Sequence, residues 1–214
     1  LITMAVLFLF WGSVFWLGMQ HEISRGRLDS QLNHMSHHDE LTGLANRRKL
    51  LAELKYAIDD VRYRGELSAL IFLDLNDFKQ VNDDYGHKVG DEVLLECARR
   101  LQKLTRSDDV VARLGGDEFV ILLHNLGVSE HKAIEIVDET VDRFRKQLCH
   151  DYKTAGVVLK CHPSLGTKLV TAKDDDAVSL LKDADEKMYQ DKVRVKSGGN
   201  ACEPASIMQK KSDK

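Results

Sequence analysis

Residues 110–123 read VVARLGGDEFVILL: two short apolar runs, Val110 to Leu114 and Phe119 to Leu123, separated by Gly115-Gly116-Asp117-Glu118. A glycine pair between two such runs predicts a β-hairpin, because glycine tolerates the positive φ that tight turns demand. Upstream, Ser68 to Leu75 (SALIFLDL) is a third apolar run, expected to be a buried strand with an acidic end. Helical spacing of Leu50, Leu51, Leu54, Ile58 and Val61 predicts a helix over Ala45 to Tyr63. Val93, Leu94, Cys97, Leu101 and Leu104 predict a second, and Ile134, Val137, Val141, Phe144 and Leu148 a third. Strand-like stretches follow at Gly156 to Leu159 and Ser164 to Val170, then a last helix marked by Leu181, Ala184 and Met188. The order α, β, α, hairpin, α, β, α predicts an α+β fold, with a central, mostly antiparallel sheet flanked by helices.

The bulk composition is that of a globular chain: 214 residues, 43% hydrophobic and 30% charged. A net charge of −3 argues against nucleic acid as a partner, which calls for a basic domain. Cys97, Cys149, Cys161 and Cys202 lack CxxC spacing, so the expectation is four free thiols in a reducing compartment.

Leu1 to His21 carries no formal charge, and its first 19 residues read LITMAVLFLFWGSVFWLGM. About 20 residues at 1.5 Å rise cross a hydrocarbon core of ~30 Å. Residues 1–20 are therefore expected to be a transmembrane helix preceding the α+β domain. Arg25 and Arg27 after it favour a cytoplasmic exit, hence an inner (cytoplasmic) membrane location with the domain in the cytoplasm. The chain begins with Leu rather than Met, which suggests the C-terminal portion of a longer protein. Leu28, Leu32 and Met35 share a helical face in a connector over 21–38. The domain is then expected over 39–197 and a flexible tail over 198–214.

Two acidic clusters sit at strand ends: Asp74 with Asn76 and Asp77, and Asp117 with Glu118 in the hairpin turn. Hard cations such as Mg²⁺ take oxygen ligands, typically one or two carboxylates plus substrate phosphates. Carboxylates on neighbouring strand tips form the skeleton of a two-metal phosphoryl-transfer site. Acidic turns are also ordinary solvated surface, and the residues alone leave both readings open.

The string Arg113-Leu114-Gly115-Gly116-Asp117-Glu118-Phe119 resembles the signature of the GGDEF family of diguanylate cyclases. Asp39-Glu40-Leu41-Thr42-Gly43-Leu44-Ala45-Asn46-Arg47-Arg48 is similar to the family's opening motif. Asp74-Leu75-Asn76-Asp77-Phe78-Lys79-Gln80-Val81-Asn82-Asp83, continued by Tyr85-Gly86-His87 to Gly90-Asp91, resembles its metal and substrate segment. Ala184-Asp185-Glu186-Lys187-Met188-Tyr189 resembles its C-terminal helix. The four motifs keep the family's order from Asp39 to about Lys192.

The resemblance implies a polymerase-palm-like domain that condenses two GTP into cyclic di-GMP and two pyrophosphates. It implies two Mg²⁺ (or Mn²⁺) ions per active site, held by Asp74, the Leu75 carbonyl, Asp117 and Glu118. Asp74, Asp117 and Glu118 would be the catalytic carboxylates. Asn82 and Asp91 would read guanine, whose N1–H and exocyclic amine match a carboxylate and which adenine does not mimic. Gly115 and Gly116 would let the protein backbone approach the nucleotide, which a Cβ would obstruct, with Phe78, Lys79, Lys192 and Lys196 among the substrate contacts. Since each domain holds one GTP, a homodimer is implied, with GTP and cyclic di-GMP as ligands; the uncharged N-terminal run separately makes the membrane an expected partner.

The C-terminal end departs from the family's Lys, two residues, Gly-Arg-Asn: here Lys192-Val193-Arg194-Val195-Lys196 precedes Gly198-Gly199-Asn200, so Lys196 stands at the spacing of the arginine. Lys binds phosphate as a point charge without bidentate geometry. Arg106-Ser107-Asp108-Asp109, five residues before Gly115, matches the family's RxxD inhibitory site, and Arg suits guanine O6 and N7. The rival reading is a non-catalytic module that binds GTP or cyclic di-GMP as a receptor.

Overall fold

The computed structural model describes residues 37–154, 156–198 and 202. The expected membrane span, nearly all of the connector and most of the tail lie outside the described residues, among which no helix is long and apolar enough to cross a membrane. By its contacts the chain divides into Leu1–His38 and Asp39–Lys214; the second unit carries the fold.

Its elements are α1 (Arg47–Arg64), β1 (Ser68–Leu75), α2 (Phe78–Tyr85), α3 (His87–Leu104), β2 (Val110–Gly115), β3 (Glu118–Leu123), α4 (Glu130–Leu148), β4 (Tyr152–Thr154), β5 (Val157–Leu159), β6 (Pro163–Val170) and α5 (Ala177–Lys196). The main sheet runs β2-β3-β1-β6, antiparallel at every pairing. All eight residues of β1 are buried, as befits a central strand covered on both faces. The hairpin closes with Gly115 opposite Glu118 and a register irregularity between Arg113 and Gly115.

Alternation along β1 sorts the two faces. Phe72 and Asp74 look toward α1 and α5, with Val120 and Glu118 opposite them on β3 and Gly166 and Ser164 opposite them on β6. α3 and α4 pack together against the other face. α5 sits so close to β6 that a Cβ on Gly166 would collide with the Met188 amide nitrogen and the Ala184 carbonyl.

A buried ionic network holds α5 in place. Arg145 of α4 donates Nη2–H to Asp191 Oδ2 at 2.9 Å, the Leu165 amide donates to the same oxygen at 3.0 Å, and Arg194 donates to Oδ1 at 2.7 Å. Burial opposes ionisation of Asp191, but these donors outweigh it and hold its carboxyl below the ordinary carboxylate range.

Three differences from the sequence reading stand out. Phe78–Tyr85 is a helix, too short for a convincing apolar period. β4 (Tyr152–Thr154) is an added strand that pairs with β5 in a separate two-stranded sheet, and Gly156 is a turn residue. Cys149 and Cys202 are paired as a disulfide rather than free, 53 residues apart in sequence; the fold brings them together, and no local spacing announces it. Cys97 and Cys161 are free and buried.

Gly166→Ala should destabilise the domain by about 1–3 kcal/mol, since the colliding atoms are backbone and cannot rotate away. Urea unfolding should show a lower midpoint with an unchanged slope; an unchanged midpoint would mean that α5 does not pack on β6 at this distance.

Candidate active site

The site lies where β1 ends beside the hairpin turn. Asp74 is only 7% exposed. Its register partner on β3 is Glu118, so the two carboxylates share a sheet face. Lys192 reaches down from α5 and donates Nζ–H to Asp74 Oδ1 at 2.6 Å. Leu75, the last strand residue, turns its backbone toward the hairpin: its N–H donates to the Asp117 carbonyl at 3.4 Å. Asn76 is pinned by its own N–H to the His162 carbonyl at 2.8 Å and by a hydrogen bond from Ser164 Oγ to its Oδ1 at 2.9 Å.

The turn is held from outside by Arg113. Its Nη1 donates to both oxygens of Asp39 at 3.0 and 3.1 Å, while Nε and Nη2 donate to the Gly116 carbonyl at 3.0 and 2.8 Å. Asp39 also accepts from the Thr42 amide and hydroxyl at 2.9 and 2.6 Å. Burial works against its ionisation, yet Thr42 and Arg113 hold the carboxyl below its ordinary value. The opening motif is thus a brace for the turn. Backbone bonds from Ala45 N–H to the Val111 carbonyl and from Arg113 N–H to the Ala45 carbonyl seat it along β2, and Asn46 caps α1 through the amides of Arg48 and Lys49. Gly116 has φ +51 and Gly115 φ +148, both in the region that favours glycine.

Electrostatics at this end are crowded. Burial first, then the charge on Asp74, pushes the Asp117 carboxyl above its ordinary value. Burial and the charges of Asp185, Asp117 and Asp74 do the same to Glu118, with Arg47 opposing. Glu118 opens onto a cleft of about 340 Å³ lined by Arg47, Phe72, Leu114, Leu181 and Asp185 among others. Several carboxylates, a strand-end carbonyl and a shortage of positive charge make an all-oxygen donor set that fits a hard divalent cation.

A second group forms across α2 and α3. The Asn82 side chain lies against Gly90, the residue before Asp91, where a Cβ would have to displace Asn82 Oδ1. The Phe78 ring is buried next to the same Gly90. Asp77, the N-cap position just before α2, has φ +59, an uncommon conformation that aspartate tolerates. Lys79 is exposed on α2, and Lys196 is exposed as the last residue of α5; no contact brings either to Asp74.

Arg106 and Asp109 stand away from this end. The Arg106 amide donates to Asp109 Oδ2 at 2.9 Å and the His124 amide to Oδ1 at 3.2 Å, so Asp109 is a local brace that leaves the exposed Arg106 guanidinium at the surface. Both line a cavity of about 230 Å³ shared with Arg143 and Glu139 of α4. Sequence reasoning missed Arg143, which stands on α4, 37 positions after Arg106 in the loop between α3 and β2. It also passed over the bracing pair Asp39 and Arg113, although Asp39 opens the first family-like motif and Arg113 opens the hairpin signature.

The description "Diguanylate cyclase, GGDEF domain" matches residues 36–197. The diguanylate cyclase TpbB of Pseudomonas aeruginosa is 37% identical over 162 residues, 75% of this chain and 36% of that protein. Among solved structures, a sensory box/GGDEF family protein from Caulobacter crescentus superposes with a TM-score of 0.68 at 38% identity, covering 73% of this chain and 97% of that one. The GGDEF domain of DgcB from Caulobacter crescentus, solved in complex with c-di-GMP, gives a TM-score of 0.66 at 25% identity over 76% of this chain and 89% of that one. The chain belongs to the GGDEF family of diguanylate cyclase domains. It spans 20% to 36% of the length of the first curated relatives it matches.

Because Glu118 has a raised folded pKa, its ionisation costs stability. The penalty is absent below the unfolded value near 4.5 and grows as pH rises toward the folded value. Glu118→Gln should therefore unfold at a higher temperature than the parent at pH 7 in chelator, with the gap closing at pH 4. Mg²⁺ should raise the parent's Tm more than the variant's. Equal Tm values at pH 7 would mean the carboxylates are not crowded.

Proposed function

We propose that this domain is an active diguanylate cyclase, condensing two GTP into cyclic di-GMP with release of two pyrophosphates. The observation that carries this reading is the meeting of Asp74, Glu118 and the Asp117 turn with Lys192 at one strand end. In this reading Asp74, the Leu75 carbonyl, Asp117 and Glu118 hold divalent cations, Mg²⁺ by the donor chemistry and two per site as in the family reading. Bound there, the ions offset charge on the phosphates and acidify the attacking hydroxyl. Lys192 exchanges its partner, Asp74 in the free domain for triphosphate oxygens in the loaded one. Gly115 and Gly116 present backbone N–H groups without a Cβ in the way. Asn82, packed against Gly90, and Asp91, the next residue of α3, read the guanine edge, with Phe78 buried behind Gly90. Glu118 takes the proton of the 3′-hydroxyl, and its upward shift brings it nearer the range useful to a base at neutral pH.

One domain supplies one GTP, so two copies must face each other, each 3′-oxygen attacking the other nucleotide's α-phosphorus. The uncharged run of residues 1–20 supports membrane tethering on the cytoplasmic side, which concentrates the copies. Lys79 and Lys196 are assigned to the outer phosphates on charge and position in the motifs. Arg106 and Asp109, with Arg143 alongside, form the product's inhibitory site.

Purified protein given GTP and Mg²⁺ should make cyclic dinucleotide, and Asp74→Asn and Glu118→Gln should each abolish it with the fold intact by circular dichroism. Undiminished synthesis by either variant would sink this assignment. With residues 1–38 removed, specific activity should rise with protein concentration, because confinement no longer supplies effective concentration.

Arg106→Ala should weaken product inhibition by about 1–3 kcal/mol, the range for a good Arg–guanine pair, which is roughly a five- to 150-fold shift in inhibitory concentration. Superimposable inhibition curves for variant and parent would remove Arg106 from the site.

A further inference from the structure

Among the described residues, one group of three metal-ligating side chains converges, and it lies outside the proposed catalytic end: Cys149, His162 and Cys202, whose ligand atoms all fall within 4.8 Å of one another. His162 Nδ1 stands 3.5 Å from Cys149 Sγ and 3.4 Å from Cys202 Sγ. The sulfurs are joined as a disulfide with Cα atoms 6.0 Å apart. An imidazole nitrogen placed evenly between two sulfurs is not something a disulfide requires. It is what a shared cation requires: zinc–sulfur bonds of about 2.3 Å and zinc–nitrogen bonds of about 2.0–2.1 Å at a tetrahedral angle set each S···N distance at about 3.5 Å.

Two of the three ligands are held by structure that precedes any metal. Cys149 caps α4, and the loop around it is stapled by Arg100, which donates to the carbonyls of Gln147, His150 and Asp151 at 3.1, 2.8 and 2.6 Å and lies 4.1 Å over the buried Tyr152 ring. His162 enters β6 before Pro163, and its carbonyl accepts the Asn76 amide. Cys202 arrives on the tail, six residues past Lys196. The other two cysteines offer no comparable chemistry: burial pushes the Cys161 thiol up to about 11 and Cys97 higher still.

We infer that Cys149, His162 and Cys202 form a Cys₂His zinc site in the reduced protein, clasping the C-terminal tail to the loop between α4 and β6. A thiol reductant converts the disulfide to two thiols, taking up two protons while the reductant becomes the disulfide. Zinc then displaces those two protons and binds two thiolates and neutral Nδ1, with water in the fourth position. The Cα separation suits both states, so rotation of the two side chains opens the sulfurs from bonding distance to about 3.8 Å, the span of two thiolates on one tetrahedral zinc. The zinc form carries a consequence for the cyclase end: through the His162 carbonyl it fixes Asn76, two residues after Asp74, and it holds the chain just after Lys196.

The full chain, purified under reducing conditions in the presence of zinc and then desalted, tests this directly. Elemental analysis should give one zinc per chain, and Cys202→Ser, Cys149→Ser and His162→Ala should each weaken retention against a chelator by more than about tenfold. Cys202→Ser lies on the tail, where it leaves the packed domain untouched, so loss of zinc there cannot be ascribed to misfolding. Co²⁺ substitution should add a near-ultraviolet thiolate-to-cobalt charge-transfer band, absent in the Cys202→Ser protein. Zinc should also shield two thiols per chain from alkylation. Reduced protein that holds no zinc, or holds it equally after Cys202→Ser, would overturn the site and leave the pair as a disulfide only.

Discussion

A carboxylate closes the most buried strand of this domain. Every residue of β1 is covered, and Asp74, near its end, has almost no access to water. A buried charge without a counter-ion is among the costliest features a fold can carry. Lys192 meets it at 2.6 Å, and the rest of the domain is arranged so that it can. α5 must cross β6 at a distance only Gly166 permits, and one residue before Lys192 the buried Asp191 gathers Arg145, Arg194 and the Leu165 amide to fix the helix's rotation. The hairpin must also bring its turn to the same strand end, which Arg113 secures by bridging Gly116 to Asp39.

The result is a site with more negative charge than the protein itself neutralises. Lys192 is shared by a neighbourhood in which Asp117 and Glu118 both protonate more readily than free carboxylates. Such an arrangement costs stability, and under the proposed function divalent cations would offset the carboxylates while triphosphate oxygens would take up the lysine. Under the same proposal, base recognition would fall to a different pair of elements, α2 and α3, where Asn82 packs against Gly90, the residue before Asp91. The proposal thus assigns charge neutralisation and base recognition to separate parts of the fold.

Much of this was legible in the residues. The strand β1, the hairpin β2–β3 and the helices α1, α3, α4 and α5 follow from apolar periodicity, and the antiparallel sheet follows from their order. Asp74 and Glu118 were readable as neighbours because each sits at the tip of a run that sheet pairing brings together. What could not be read was of two kinds. Short elements such as α2 and β4 have too few residues for a period to show. Contacts between distant segments, including Lys192 with Asp74, Arg145 with Asp191, Arg143 beside Arg106, and Cys149 with Cys202, depend on packing that no local pattern encodes. The cysteines illustrate it best: four thiols without a motif became one disulfide pair, set beside the His162 imidazole, and two buried core residues once the chain was folded.

The exchange at Asp74 is the centre of this account, and a crystal structure of the domain with Mn²⁺ and a GTP analogue lacking the 3′-hydroxyl tests it most directly. Anomalous difference peaks should fall between Asp74, the Leu75 carbonyl and Asp117, with Lys192 released from Asp74 and turned onto the triphosphate. Nucleotide bound with the Lys192–Asp74 pair intact and manganese elsewhere would contradict it.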